Sequence, residues 1–141
     1  SRPHNNPQAQ RCPASPSEHA EQVALIGWAA LNESRWPELR LLFAIPNGGK
    51  RGIVTAVMIK REGGRSGIPD LFLPVCRSGF FGLFIELKRE TGSRLAPNQE
   101  WWFDQLTRQG YAVCVAHGAH EATQIITSYM ENSLCLIGGE T

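Results

Sequence analysis

Apolar positions along the chain recur with two periods, and the changes between them predict its elements. Residues 1–16 are rich in Pro, Asn, Gln, Ser and Ala without an apolar period, and read as a disordered N-terminal segment. Ser15-Pro16-Ser17-Glu18 then carries a helix start: Ser15 suits the cap, Pro16 the first helical position, and Glu18 the return arm of a capping box. Val23, Leu25, Ile26, Trp28, Ala29 and Leu31 give this helix a broad apolar face up to about Asn32. Leu39 to Ile45 predicts a short strand, stopped by Pro46-Asn47-Gly48-Gly49. Residues 53–62 predict a short helix closed by Gly63-Gly64. Asp70–Val75 and Phe80–Lys88 predict two strands turned by Arg77-Ser78-Gly79, hence an antiparallel hairpin. Pro97–Gln109 predicts a helix ended by Gly110, Tyr111–Ala116 a buried strand, and His120–Asn132 a last helix.

The order α-β-α-β-β-α-β-α predicts an α/β sandwich with a mixed central sheet flanked by helices. A single domain over 17–132 is expected, followed by a C-terminal tail over 133–141. No apolar run approaches the ~18 residues a membrane span needs, and no apolar signal segment opens the chain. The expectation is a soluble, intracellular, cytoplasmic protein. Cys12, Cys76, Cys114 and Cys135 are far apart and form no CxxC pair, so they read as free thiols. His117 and His120 share a helical spacing without an accompanying carboxylate pattern, and read as surface or capping residues.

A net charge of +1 conceals a polarised chain. From Lys50 to Arg94 nine basic residues face four acidic ones, a surplus of five, whereas the remainder holds five and nine, a deficit of four. A basic middle suits a polyanionic ligand, although such runs also simply solvate a surface.

Within that window, Glu86 and Lys88 are two apart on a predicted strand and so share one face, while Leu87 points to the core and leaves its backbone carbonyl available. Antiparallel pairing brings Asp70 near Glu86. Two adjacent carboxylates repel each other unless a hard divalent cation such as Mg²⁺ or Mn²⁺ lies between them. Such an ion polarises a phosphoryl oxygen and lowers the pKa of a bound water. Lys88 beside it suits orienting that water or balancing phosphate charge. The same spacing also suits a plain surface ion pair. The charges do, however, end a strongly apolar strand, and strand ends are where α/β folds build sites.

Gly67-Ile68-Pro69-Asp70 followed by Ile85-Glu86-Leu87-Lys88 resembles the PD-(D/E)XK nuclease motif. The wider pattern resembles its VRR-NUC branch, including small stand-alone members found in phage genomes. The further matching pieces are Ser17 to Gln22, Ile45 to Gly49, and Pro97 to Trp102 with Gly110-Tyr111, so the resemblance covers about residues 17–130. It implies a restriction-endonuclease-like fold, metal binding by Asp70, Glu86 and the Leu87 carbonyl, and Lys88 as the catalytic lysine. A first-helix glutamate completes such sites. Glu18, four residues before Gln22, is favoured over Glu21, though capping competes for Glu18. Gln99 resembles the family glutamine, placed either to bond near Lys88 or to cap its helix. Trp102 and Phe103 on the same stripe read as core, whereas Trp101 points elsewhere, toward a base, a partner or solvent. Asn47, Lys50 and Arg51 form a basic loop for phosphate contact or a tight turn, with Arg65 and Arg89 as further DNA-binding candidates.

These expectations converge on a divalent-metal-dependent DNA endonuclease; the resemblance to small stand-alone VRR-NUC proteins further implies branched DNA such as four-way (Holliday) junctions as substrate, and a homodimer is then expected because symmetric cutting needs two sites. The alternatives are a monomeric flap- or nick-directed nuclease and a catalytically silent DNA-binding module.

Overall fold

The computed structural model describes residues 16–46, 53–90 and 94–136, and of residues 53–56 the backbone alone. Helix α1 spans Glu18–Leu31 and is capped by Ser17, whose Oγ accepts from the Ala20 N–H at 3.1 Å. The cap thus falls two residues later than the sequence suggested, and Ser15 lies outside the described residues. The position a capping-box acid would take belongs to Ala20, so the Glu18 carboxylate is released from that duty.

The expected strand over 39–45 is the main correction. Pro37–Leu41 forms a 3₁₀ helix with Leu39 buried, and only Phe43–Ala44 forms a strand, β1. Pro37 starts the turn where its fixed φ is already helical and its missing N–H costs nothing. The apolar run therefore signalled burial rather than extension. Helix α2 (Ile53–Arg61) ends before Gly63, whose φ of +99° stops it.

Strands β2 (Leu71–Leu73) and β3 (Leu83–Lys88), helix α3 (Pro97–Arg108), strand β4 (Ala112–His117) and helix α4 (Ala119–Met130) complete the chain. The sheet order is β1-β2-β3-β4. The first two pairings are antiparallel, and β3–β4 is parallel through the α3 crossover, which makes the sheet mixed. The predicted hairpin turn is real: Ser78 and Gly79 both take positive φ, and the Phe80 N–H donates to the Arg77 carbonyl at 2.9 Å. Ser78 fastens this turn to the end of α4, its N–H donating to Asn132 Oδ1 and its hydroxyl to the Tyr129 carbonyl.

Side-chain alternation gives the sheet two different faces. Leu71, Leu83, Ile85, Leu87 and Ala116 meet Leu25 and Ala29 of α1 and Ile126 and Tyr129 of α4 in the main core. Each fully buried leucine or isoleucine among them contributes roughly 1.5–3 kcal/mol. On the other face Phe72 and Phe84 stack at 4.2 Å with Tyr111 edge-on to Phe84, and α3 packs across β4. Trp102 and Phe103 are only half-buried there, contrary to the core expectation, because a single helix covers that face and α3 has no fully buried residue. Leu134 and Leu136, expected in the tail, pack against the core. Cys76, Cys114 and Cys135 are free thiols, and Cys12 lies outside the described residues. No helix among the described residues is long and apolar enough to cross a membrane.

Candidate active site

The site forms where β2 begins and β3 ends. Leu71 pairs with Ile85, so the next step along the two strands sets Asp70 across from Glu86. Asp70 is clamped from both sides: its carbonyl accepts from the Ile45 N–H at 2.7 Å, and its Oδ2 accepts from the Leu87 N–H at 2.8 Å. A strand residue directs its N–H and C=O to the same side, so the Leu87 carbonyl also faces the Asp70 edge.

Glu86 and Lys88 share the sheet face under α3, as alternation requires. Their charged atoms are 3.5 Å apart, and Glu86 is only 3% exposed. Gln99 of α3 joins them. Its Nε2 donates to Glu86 Oε1 at 2.7 Å, while its Oε1 accepts from Lys88 Nζ at 3.1 Å and from the Ala96 N–H at 2.9 Å. Both alternatives raised for Gln99 are therefore realised at once. Ala96 has no side-chain oxygen, so only the Gln99 half of a capping box exists, and Pro97 supplies the helical start.

Two opposing effects set the electrostatics. Burial pushes the Glu86 carboxyl up to about 7, the Asp70 charge adds to the rise, and Lys88 works against it. Asp70 is raised as well, by burial first, with the Leu87 N–H opposing and the Glu18 charge contributing. Glu86 Oε2 is buried without a hydrogen-bond partner among the described residues. An unpartnered buried carboxylate oxygen is costly unless a cation or proton meets it. The residues therefore fit a hard divalent cation: oxygen donors, two carboxylates, one of them with an unused acceptor.

Asp70 and Glu86 form a pair and not a cage, since no three His, Cys, Asp or Glu side chains converge to hold a metal among the described residues. The two first-turn acids of α1 have separated in role. Glu21 is buried and its Oε2 accepts from the Ala119 N–H, which caps α4 behind Gly118. Glu18 is exposed, and its charge reaches both Asp70 and Glu86. Sequence reasoning missed the Glu21 cap. Its only signal was Gly118, whose φ of +93° leaves α4 without a side-chain cap of its own.

A second missed feature is the loop that carries the chain into Asp70. The Trp102 Nε1–H donates to the Ser66 carbonyl at 3.1 Å, and Asn98 Nδ2 donates to Ser66 Oγ. Gly67 takes φ +87°, and a Cβ there would come within 2.9 Å of Asn98. Only glycine lets the loop lie this close to the start of α3. Arg65 is exposed on this loop, beside a cavity of about 450 Å³ bounded by Ile45, Ile59 and Ile68. Arg89 is exposed just beyond Lys88. Asn47, Lys50 and Arg51 lie outside the described residues.

Comparison with known proteins adds independent findings. A family model described as the VRR-NUC domain matches residues 8–120. A solved structure titled "VRR_NUC domain protein" is similar with a TM-score of 0.70 and 25% identity, over 84% of this chain and 92% of that one. A search of curated proteins returns no match.

Proposed function

The chain belongs to the VRR-NUC domain family, and from that premise we propose that it is a divalent-metal-dependent endonuclease that hydrolyses phosphodiester bonds in branched DNA, four-way junctions foremost. The observation that carries this reading is the Asp70–Glu86 pair, Asp70 half-buried and Glu86 buried, with the unpartnered Glu86 Oε2 and Lys88 beside it. A buried structural ion pair would use up its acceptors; this one keeps one in reserve.

In this reading Asp70, Glu86 and the Leu87 carbonyl hold Mg²⁺ or Mn²⁺, and Glu18 is the helix carboxylate because Glu21 is committed to Ala119. When bound, such a cation supplies charge neutralisation at the phosphate and a more acidic water. Lys88 holds its ammonium toward the attacking water and the phosphate, and Gln99 fixes where that ammonium sits. Water oxygen bonds to phosphorus as the bond to the leaving sugar oxygen breaks in line, and the proton the water gives up is balanced by one taken up on that leaving oxygen. Arg65 and Arg89, with Asn47, Lys50 and Arg51 of the basic loop, contact flanking phosphates. Exposed Val23, Ile26 and Leu31 on α1 support a homodimer, which gives one site for each strand cut at a junction.

The test is a panel of four-way junction, flap, nicked and linear duplex DNA, incubated with Mg²⁺, Mn²⁺ or EDTA and either wild type or Lys88→Ala. The expected result is metal-dependent cutting, fastest on the junction, reduced roughly 10²–10⁴-fold in Lys88→Ala. Binding without cutting of any substrate by the wild type overturns the enzyme reading. Equal cutting by both proteins removes Lys88 from the reaction.

A further inference from the structure

Trp101 is 57% exposed, two residues beyond Gln99 on the helix that covers the carboxylate pair. Two residues of helix advance about 3 Å along the axis and turn by about 200°. Gln99 therefore faces the sheet while Trp101 faces solvent, within one turn of the site. Its ring is not adrift. Trp102 meets it edge-on, with centroids 5.2 Å apart and planes at 85°, and Trp102 is itself fixed by its bond to the Ser66 carbonyl. A wide apolar ring is thus held open to water beside a site for phosphodiesters. The surrounding charge is mixed: Glu100 and Asp104 are exposed on the same helix, and Asp104 is taken up by Arg108. Arg65, Arg89 and Arg94 are exposed without a carboxylate partner among the described residues, as are Arg40 and Arg61, and of these Arg65 lies on the loop that Trp102 and Asn98 tie to α3.

We propose that Trp101 is a stacking platform for an unpaired nucleobase of the DNA strand that runs past the carboxylate pair, with Arg65 and Arg89 following its phosphates. This rests on the nuclease reading and narrows it: within branched DNA, the strand at the cut presents an unpaired base at the branch point, as at the open centre of a four-way junction. Duplex bases stay stacked on one another and offer no free face to an indole, whereas an unpaired base does, and such stacking is tolerant of sequence. The indole also brings its partner's binding surface without immobilising a flexible chain, since its orientation is set by Trp102 before DNA arrives.

The test compares Trp101→Ala and Trp101→Phe in a Lys88→Ala background, so that binding is read without cutting. Dissociation constants are measured with Mg²⁺ by fluorescence anisotropy for a labelled blunt duplex and for the same duplex carrying an unpaired thymine tail. Trp101→Ala is expected to weaken tail binding about tenfold and leave the blunt duplex unchanged, with Trp101→Phe recovering most of the loss. Equal affinity of Trp101→Ala and its parent for the tailed DNA overturns the proposal, as does an equal loss on both DNAs. Unchanged DNA binding together with a smaller species in solution overturns it in favour of self-association through this ring. Failure of the parent to bind either DNA, with no cutting by the Lys88-containing protein, removes the nuclease reading and this inference with it.

Discussion

Glu86 has the least water around it of the charged residues at the site, and its protonation couples the fold to pH. Its carboxyl titrates near pH 7 in the folded chain, against about 4.3 for an exposed glutamate. Between those values the folded state binds the proton more readily than the unfolded one, so stability falls as pH rises through the interval. Without metal, the melting temperature is expected to decline from about pH 4.5 to 7, and Glu86→Gln should flatten the profile. Thermal melts in EDTA across that range check this; equally steep profiles would place the pH dependence in other groups. Gln99 acts through the same atoms. Gln99→Ala removes the amide that ties Glu86 Oε1 to Lys88 Nζ. Cutting should fall roughly 10–100-fold, as for other residues that orient a ligand, while stability changes by about 1 kcal/mol. A full-rate Gln99→Ala enzyme in a steady-state assay would contradict that positioning role.

The elements show how much of the site the sequence reveals and where it falls short. Strand alternation placed Glu86 and Lys88 on one face, and hairpin pairing put Asp70 across from Glu86; both depend only on local period and register. The 39–45 run misled because its apolar residues serve a 3₁₀ turn that buries Leu39, and apolarity records burial before it records backbone shape. The part Glu21 plays was illegible because a tertiary contact decides it: Glu21 reaches across to Ala119, far along the chain. Glu21→Ala should therefore destabilise by about 1–3 kcal/mol in urea unfolding, by stranding the Ala119 N–H, and leave metal-dependent cutting of the folded protein largely intact. Glu18→Gln should do the reverse, lowering cutting with little change in stability. Matching effects of the two substitutions would undo the division of labour.

At the scale of the molecule, the basic surplus within residues 50–94 includes Arg65 and Arg89, exposed on the segments that lead into Asp70 and out of Lys88. The other global feature is the outer face of α1, where Val23 is 58% and Leu31 83% exposed. If this face joins two copies, Val23→Glu with Leu31→Glu should convert a dimer to a monomer by light scattering and slow junction cutting more than nicking; a wild type that is already monomeric rules the interface out. The family match, the fold and the Asp70–Glu86 carboxylate pair meet in one proposal, that a cation held by Asp70 and Glu86 drives DNA cutting. The most direct measurement is the initial rate of cutting a labelled four-way junction as Mn²⁺ is titrated against wild type and Asp70→Asn. The account predicts a wild-type rate that rises from zero to saturation and an Asp70→Asn rate that stays at background throughout; cutting in EDTA, or equal curves for the two proteins, would contradict it.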